Sequence, residues 1–341
     1  MSRVDTVVPT SDIDATSGAE LGAVVIGRNE GERLRRCLQS VRHDAPYVVY
    51  VDSGSDDGSV ELSSSLGIAI LQLDPRTPFT AARARNEGLR RLLELCPTID
   101  YVLFVDGDCE VVAGWLQVAR DFLDRQADCA AVCGRRRERY PDRSVYNLLC
   151  DLEWDTPVGE TKACGGDVLM RVRALQQVGS YRADLICGEE PELCVRLRAA
   201  GWRIWRLGVD MTLHDAAMYR FGQWWKRALR GGYGFALGAS LHGAPPERHW
   251  VRESRRAWIW GGCIPIATLF AIAAAGGWGL WVLSVYPLQM VRLALSGTRS
   301  ARENWWGAAA LVLGKFPEML GQVKFAVDRL RQRPSRLIEY K

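Results

Sequence analysis

The sequence predicts an α/β protein with a Rossmann-like, mostly parallel sheet and flanking helices, followed by C-terminal membrane-associated helices. Short apolar segments alternate with amphipathic segments from Ala23 to Val105, and this alternation is typical of parallel strands joined by crossover helices. Farther along, the segment from Ala257 to Val291 contains no charged side chain. It is longer than the roughly 20 apolar residues that one membrane-spanning helix needs.

Each predicted strand is an apolar segment, and each predicted helix is an amphipathic segment between two of them. The strands are Ala23–Ile26, Tyr47–Val51, Ile68–Leu73 and Tyr101–Val105, and the helices lie around Leu34–Val41, Val60–Leu66 and Ala81–Leu95. Residues 1–20 are polar and acidic, which predicts a flexible N-terminal tail. We expect a folded domain over residues 21–250 and a membrane-associated helical region over residues 251–341.

Arginines flank the uncharged segment on both sides, at Arg252, Arg255 and Arg256 before it and at Arg292, Arg299 and Arg302 after it. Basic residues favour the cytoplasmic side of a membrane, and Gly276-Gly277 interrupts the segment. These features predict a hairpin or re-entrant pair over residues 257–295, inserted in the cytoplasmic membrane, with the preceding domain facing the cytosol. A buried helical pair in a soluble domain is the alternative. The spaced charges of residues 305–330 predict an interfacial amphipathic helix.

The composition argues against a nucleic-acid partner and against a zinc site. The formal net charge is only +4, and no basic run is interleaved with aromatic residues in the way that single-strand binding requires. The ten cysteines include no C-x-x-C pair, so we interpret them as buried, reduced thiols of a cytosolic protein.

Four short acidic and glycine-rich motifs follow one another along the chain. They are Val51-Asp52-Ser53-Gly54-Ser55-Asp56-Asp57-Gly58, Ala84-Arg85-Asn86-Glu87-Gly88, Phe104-Val105-Asp106-Gly107-Asp108 and Gly188-Glu189-Glu190-Pro191-Glu192-Leu193-Cys194-Val195-Arg196-Leu197. The first three close or follow apolar runs, which places them at strand ends or in the loops beyond. Open α/β sheets bind their ligands at that edge, so we expect the functional site there.

In this order and spacing the motifs resemble those of the family 2 glycosyltransferases, over a match from about Leu21 to about Gly238. The resemblance implies the GT-A nucleotide-diphospho-sugar transferase fold. It also implies an inverting transfer of a sugar from a nucleotide-sugar donor to an acceptor hydroxyl. A lipid-linked or saccharide acceptor at the membrane would place the chain in lipid-linked glycan, glycolipid or exopolysaccharide biosynthesis.

The departing diphosphate carries negative charge, which calls for a hard divalent cation, Mg²⁺ or Mn²⁺, held by carboxylate oxygens. By the resemblance, Asp108 holds the metal, Asp106 contacts the ribose or shares the metal, and His214 completes the metal shell. A turn in which an aspartate caps the following helix is the alternative for the two acids. The resemblance assigns the donor nucleotide to Asn29, Glu30, Asp52, Arg85 and Asp106.

An inverting transfer also needs a general base, placed on the opposite side of the anomeric carbon from the leaving group. Glu190 occupies the position of the family's base, with glutamate where aspartate is usual, and Glu189 precedes it. A helix N-terminus that favours acidic side chains explains the same pair structurally. By the resemblance, Gly166 and Asp167 lie beside the donor sugar and the acceptor, and Trp224 could stack on a sugar face.

The sequence leaves two other classes of function open. A sugar-nucleotide-forming nucleotidyltransferase can share the fold, but it would carry a Gly-Thr-Arg loop where this chain has Gly27-Arg28-Asn29-Glu30. A non-catalytic, membrane-bound sugar-binding protein would keep the fold while losing acids that this chain retains. A nicotinamide enzyme is disfavoured because no G-x-G-x-x-G opens a helix after the first strand. Release of nucleoside diphosphate from a donor separates the transferase from these classes.

Overall fold

The structure is a computed structural model, and it describes residues 20–332. Its strands are β1 (Leu21–Gly27), β2 (Tyr47–Asp52), β3 (Ala69–Gln72), β4 (Tyr101–Asp106), β5 (Cys109–Val111), β6 (Cys129–Glu138), β7 (Gly159–Glu160), β8 (Val168–Arg171) and β9 (Arg203–His214). Its α-helices are α1 (Glu32–Asp44), α2 (Ser59–Ser65), α3 (Ala81–Leu95), α4 (Trp115–Arg125), α5 (Val145–Trp154), α6 (Val172–Val178), α7 (Glu189–Ala199), α8 (Phe221–His242), α9 (Val251–Trp258), α10 (Ile264–Ala275), α11 (Val285–Ser296), α12 (Ala301–Leu313) and α13 (Lys315–Leu330). A π-helix at Ile259–Cys263 and 3₁₀-helices at Pro141–Arg143 and Gly276–Ser284 complete the helical elements of this part of the chain.

The chain forms two compact units. The first contains the residues up to Arg139 together with Trp154–Ala216, and the second contains Tyr140–Glu153 together with the residues from Ala217 onward. The domain boundary predicted at residue 250 stays a prediction. The predicted N-terminal tail, residues 1–20, lies outside the described residues apart from Glu20.

The first unit is built on a mixed sheet with helices on its faces. The strand order is β3-β2-β1-β4-β8-β6-β9-β5, and β7 pairs with β9. The four predicted strands are β1 to β4, and they pair in parallel, as expected. Beyond β4 the pairing alternates: β8 is antiparallel to β4 and to β6, whereas β6 is parallel to β9.

The register of the parallel half brings the functional motifs to one edge. Gly27 at the end of β1 pairs with Asp52 at the end of β2, and Ile26 pairs with Asp106 at the end of β4. Because parallel strands end at the same edge of a sheet, the first and third acidic motifs lie next to each other there.

The second motif reaches the same region because helix α3 lies close against the sheet. A Cβ atom at Gly88 would lie 2.3 Å from a methyl carbon of Val24 on β1 and 2.8 Å from one of Val51 on β2. Only glycine permits this approach. Arg85, one helical turn before Gly88, shares its face of α3 and is buried.

The second unit consists of helices that pack through glycine. A Cβ atom at Gly232 of α8 would lie 1.9 Å from the carbonyl oxygen of Glu318, and one at Gly321 of α13 would lie 2.1 Å from that of Leu229. Helices α8 and α13 therefore pack with their backbones in contact, and a larger residue at either glycine would force them apart.

One helical run of the described residues is long and apolar enough to cross a membrane. It spans 46 residues, Val251–Ser296; its most apolar 18-residue window has a mean hydropathy of 1.8, and 11% of that window is buried. The run reverses direction at Gly276, where φ is 58°, and the Tyr286 hydroxyl donates a hydrogen bond to the Trp260 carbonyl oxygen at 2.6 Å. The two arms thus lie side by side, and their position in a membrane stays a prediction.

The region predicted as one amphipathic helix, residues 305–330, contains two helices. Helix α12 begins earlier than predicted, at Ala301, where the Ser300 side chain caps it by accepting a hydrogen bond from the backbone of Glu303. The helices meet at Gly314. Pro317 has no N–H to donate to the preceding turn, which weakens the helix at this point.

Candidate active site

Asp52 at the end of β2 closes its own loop. Its Oδ2 accepts hydrogen bonds from the backbone nitrogens of Gly54 and Ser55, both at 3.0 Å, and its Oδ1 accepts one from the Tyr50 hydroxyl at 2.9 Å. Burial, together with the Asp52 charge, raises the pKa of Tyr50, so this hydroxyl stays a donor. The carboxylate therefore fixes the shape of this loop, where the predicted donor nucleotide would have to bind.

Asn29 joins the loop after β1 to the loop after β2. It has a positive φ of 55°, its backbone nitrogen donates to Ser55 Oγ at 2.9 Å, and its side-chain oxygen accepts from the backbone nitrogen of Asp56 at 2.9 Å. Glu30 instead forms an ion pair with Arg33 at 2.8 Å. Asn29 thus holds the two loops together, while Glu30 is paired with Arg33 of helix α1.

Arg85, which the resemblance assigns to the donor nucleotide, lies between acids of the third and fourth motifs. Its guanidinium is buried and donates to Asp106 Oδ1 at 2.9 Å and to Glu189 Oε1 at 2.8 Å. Burial by itself lowers the pKa of this guanidinium, but the carboxylates of Asp106 and Glu189 outweigh burial and raise that pKa above its ordinary value. One permanent positive charge thus joins the third motif to the fourth.

Arg136 on β6 is a second buried cation, and the sequence analysis missed it. Its Nη2 lies 3.3 Å from Asp106 Oδ2 and 2.8 Å from Asp167 Oδ1. Although burial lowers the pKa of Arg136, Asp167 and its other anionic neighbours hold that pKa well above its ordinary value. Asp106 therefore lies between two guanidinium groups, which fix its carboxylate at the end of β4.

Asp167 is fully buried and binds other residues of the site. It accepts hydrogen bonds from the backbone nitrogen of Asp106 at 3.0 Å, from Arg136 Nε at 2.9 Å and from Thr212 Oγ1 at 2.7 Å. Through these hydrogen bonds the Asp167 carboxylate orients Arg136 and the end of β4. They do not favour the predicted direct contact of Asp167 with a sugar or an acceptor.

Gly166 lies directly against the charged cluster. A Cβ atom at this position would lie 2.8 Å from Arg85 Nη2 and 3.1 Å from Asp106 Oδ2. The backbone of this loop can therefore approach the ion pair only because position 166 lacks a side chain.

Asp108 and His214 form a pair of candidate metal ligands beside this cluster. Asp108 Oδ2 and His214 Nε2 are 3.2 Å apart, and both side chains are buried. Burial lowers the pKa of His214, although Glu138 acts in the opposite direction, so the imidazole is neutral at pH 7 and able to bind a metal. Glu138 Oε2 lies 3.6 Å from His214 Nδ1, and the Trp154 ring packs edge-on against the imidazole at 4.7 Å.

The pair fits a small divalent cation. Asp108 Oδ2 and His214 Nε2 would hold such an ion together, since their ligand atoms lie within 4.8 Å of one another. Glu138 has the position of the carboxylate that commonly supports a metal-binding histidine from its other nitrogen. Asp106 and Asp167 are paired with Arg85 or Arg136, whereas Asp108 is paired with His214.

The two glutamates of the fourth motif point to different partners. Both lie at the start of α7, after Gly188 with a φ of 73°, as expected for acids at a helix N-terminus. Glu189 is bound to Arg85. Glu190 is buried, and its Oε1 accepts a hydrogen bond from the backbone nitrogen of Cys164 at 2.7 Å. Both predicted candidates for the base therefore lie at the site, in different surroundings.

Trp224 is the predicted site residue that the first unit does not contain. It lies on α8 in the second unit, where it is buried and its ring is 5.6 Å from that of Phe221. Its stacking on a sugar stays a prediction.

The residues that the sequence analysis missed come mainly from β6. Arg136 and Glu138 are two positions apart on that strand, so their side chains point to the same face, whereas Arg135 and Arg137 form ion pairs with Asp155 and Asp210. In the sequence, the only indication of this was the run Arg135-Arg136-Arg137-Glu138, in which alternate residues of a strand would face the site.

Comparison with known proteins finds a family model that matches part of the chain. Residues 23–165 match the model described as "Glycosyl transferase family 2". This match contains most of β1, all of β2 to β7, the first three motifs and Arg136. The fourth motif and His214 lie beyond it.

The curated relatives share about a quarter of their residues with this chain over the matched region. The pre-mycofactocin glycosyltransferase of Mycobacterium tuberculosis is 27% identical over 215 residues, which is 58% of this chain and 43% of that protein. The succinoglycan biosynthesis protein ExoA of Rhizobium meliloti is 25% identical over 193 residues, which is 52% of this chain and 57% of that protein. The chain thus spans about half the length of these relatives.

Among solved structures, the mannosyltransferase PcManGT from Pyrobaculum calidifontis, solved in complex with GDP-Man and Mn²⁺, resembles this chain with a TM-score of 0.56. The sequences are 20% identical, and the superposition covers 93% of this chain and 88% of that one. At this identity the likeness concerns the fold, and it confirms the predicted GT-A architecture.

Proposed function

Because the chain carries a family 2 glycosyltransferase domain, we propose that it transfers a sugar from a nucleotide-diphosphate sugar to an acceptor hydroxyl with inversion of configuration. The observation that carries this proposal is the convergence of three separate motifs on Arg85. This guanidinium joins Asp106 to Glu189, in a cluster next to the Asp108–His214 pair.

The proposed cofactor is a divalent cation, Mg²⁺ or Mn²⁺, held by Asp108 and His214, with Asp106 nearby. The carboxyl groups of Asp106 and Asp108 would repel a diphosphate, so donor binding needs added positive charge beside them. When bound, such an ion neutralises the charge that develops on the leaving diphosphate. The similar fold of PcManGT, solved with GDP-Man and Mn²⁺, supports this choice.

We assign the general base to Glu190. The acceptor oxygen forms a bond to the anomeric carbon as the bond from that carbon to the diphosphate oxygen breaks, and the hydroxyl proton passes to a carboxylate. Glu189 Oε1 is already held by a charged donor, Arg85, at 2.8 Å, and charge-assisted hydrogen bonds are strong. Glu190 accepts from the neutral backbone nitrogen of Cys164, which competes less with an incoming proton.

The acceptor is proposed to be lipid-linked or a saccharide at the cytoplasmic membrane, reached from the cytosol. Support comes from the hairpin, whose apolar side chains are exposed in the described structure, with Phe270 at 72% and Trp278 at 75% of full exposure. Exposed apolar surface of this extent is typical of a membrane contact. Arginines at both ends of the hairpin favour entry and return on the cytoplasmic side. The name of ExoA, a succinoglycan biosynthesis protein, supports a role in polysaccharide assembly.

The test is a screen of the purified full-length protein in detergent against GDP-mannose, UDP-glucose and other nucleotide sugars, with Mn²⁺ or Mg²⁺ present. A transferase releases nucleoside diphosphate from one donor in preference to the rest. A nucleotidyltransferase instead exchanges pyrophosphate, and a sugar-binding protein releases neither product. Retention of the anomeric configuration in the product would exclude the inverting scheme.

A further inference from the structure

Two cysteine side chains meet the carboxylate of Glu190. Cys164 Sγ lies 3.0 Å from Glu190 Oε1, and Cys194 Sγ lies 2.9 Å from the same oxygen. The backbone nitrogen of Cys164 donates to this oxygen as well, at 2.7 Å. Cys194 lies on α7 one turn after Glu190, while Cys164 lies in the loop before β8, so the carboxylate ties the helix to the loop that contains Gly166.

Both thiols are protonated donors. Burial raises the pKa of Cys194 to about 11, and burial together with Cys194 and Glu190 raises the pKa of Cys164 well above its ordinary value. The sulfurs are 3.6 Å apart, far longer than the roughly 2.05 Å of a disulfide, and both cysteines are free. A neutral S–H is a weak hydrogen-bond donor.

A soft metal ion is the competing explanation for such a group, since two sulfurs and a carboxylate lie close together. Against a metal, Glu190 Oε1 already accepts a hydrogen bond from the backbone nitrogen of Cys164 at 2.7 Å. The hydrogen-bonded arrangement accounts for all of these contacts.

We propose that Cys164 and Cys194 are positioning residues for Glu190. Three donors share Oε1, and this arrangement directs Oε2 to receive the proton of the acceptor hydroxyl. The proposal rests on the assignment of Glu190 as the base in the proposed function. It explains how glutamate can serve where the family usually has aspartate, because a longer side chain needs additional contacts to hold its carboxylate in place.

The expected effect follows from the geometry. A displacement of about 1 Å in a reacting group can reduce turnover by about 10²-fold. Each single alanine variant keeps the backbone donor and the other thiol, so we expect kcat to fall about tenfold in Cys164→Ala and in Cys194→Ala. The double variant keeps only the backbone nitrogen, and we expect its kcat to fall about 10²-fold. Donor KM should change by less than about twofold in all three.

The experiment measures nucleoside diphosphate release by the full-length protein, using the nucleotide sugar of the panel that is turned over fastest and water as the acceptor. Cys164→Ser and Cys194→Ser keep a hydrogen-bond donor and should recover most of the lost kcat. Cys129→Ala is the matched control, because it removes another buried thiol that bonds only a backbone oxygen, that of Ala131; it should behave like the wild type. Wild-type kcat in the double alanine variant would overturn the proposal, as would a loss that serine does not recover.

Glu190→Gln separates this proposal from the assignment on which it rests. If Glu190→Gln keeps wild-type kcat, the base assignment fails first; if it loses kcat while the double alanine variant does not, only the positioning role fails. A second measurement covers variants that fold poorly. In the infrared spectrum of the wild type, the S–H stretching bands of Cys164 and Cys194, identified from their serine variants, should lie at lower frequency than that of Cys129 and should shift in Glu190→Gln. Unshifted bands would contradict the hydrogen bonds directly.

Discussion

Replacing Arg85 by methionine should both destabilise the first unit and stop catalysis. Methionine keeps much of the length of the arginine side chain and removes its charge. Arg85 has only 3% of its side chain exposed, and it is the cation that joins Asp106 to Glu189. Removing it leaves two carboxylates facing each other without the guanidinium between them.

The size of the effect can be worked out from the partners. Breaking a buried ion pair by removing one partner costs about 3–5 kcal/mol. The lower end applies here, because Asp106 is 30% exposed and keeps Arg136 at 3.3 Å, and Glu189 lies at a helix N-terminus that favours an anion. A loss of about 3 kcal/mol corresponds to a fall in Tm of about 6–12 °C for a domain of this size.

The assay is thermal unfolding followed by circular dichroism, with diphosphate release measured on the same preparations. Arg90→Met on the same helix is the matched control, since Arg90 is 56% exposed and forms ion pairs with Glu87 and Glu94. Surface pairs of this kind contribute about 0.3–0.5 kcal/mol each, so the loss of both should lower its Tm by only about 1–4 °C. Equal Tm values for the two variants would refute the central position of Arg85, as would wild-type turnover in Arg85→Met.

The remaining predictions concern the metal, the glycine loop and the hairpin. Asp108→Asn should abolish Mn²⁺-dependent donor binding, measured by calorimetry, while Asp121→Asn on α4, where Asp121 accepts a hydrogen bond from Gln117, keeps it; full activity of the wild type in excess chelator would contradict the metal site. Gly166→Ala should reduce kcat about tenfold or more and lower stability by about 1–3 kcal/mol, because its Cβ would lie 2.8 Å from Arg85 Nη2; Gly222→Ala, with no atom within 4 Å of the added Cβ, should do neither. Replacing both Leu269 and Phe270 by glutamate should abolish flotation with lipid vesicles, whereas Leu95→Glu in the first unit should not; a full-length wild type that stays soluble without detergent would indicate that the hairpin is not a membrane element.

The parallel half of the sheet could be predicted from the sequence because its signals are local. Each of β1 to β4 is a short apolar run, and Asp52 and Asp106 are the last residues of β2 and β4. Since parallel strands end together, the positions of Asp52 and Asp106 at one edge follow from the strand assignment alone. The antiparallel additions beyond β4 could not be predicted in this way, because their pairing partners are distant in sequence.

Arg136 and Glu138 were missed for a specific reason. The register between β6 and β9 shifts three times, between Cys129 and Ala131, between Cys133 and Arg135, and between Arg135 and Arg136. Each such irregularity can exchange the two faces of a strand. The alternation within Arg135-Arg136-Arg137-Glu138 is visible in the sequence, but which pair faces the site depends on these shifts.

Which of the two glutamates binds Arg85 could not be predicted from the sequence either. Glu189 and Glu190 are neighbours on a helix, so their side chains point about 100° apart. Which of them meets Arg85 depends on how α7 packs against the rest of the first unit. The motif locates the pair, and only the packing shows that Glu189 binds Arg85 while Glu190 lies against Cys164 and Cys194.

The most direct test of the account compares Glu190→Gln with Glu189→Gln. The measurement is diphosphate release at saturating donor, together with donor affinity by calorimetry, in both variants and the wild type. If Glu190 is the base, Glu190→Gln should lose about 10²-fold or more in kcat with donor affinity nearly unchanged, whereas Glu189→Gln should weaken donor binding through Arg85. Loss of kcat in Glu189→Gln with wild-type kcat in Glu190→Gln would contradict the account and move the base to the neighbouring residue.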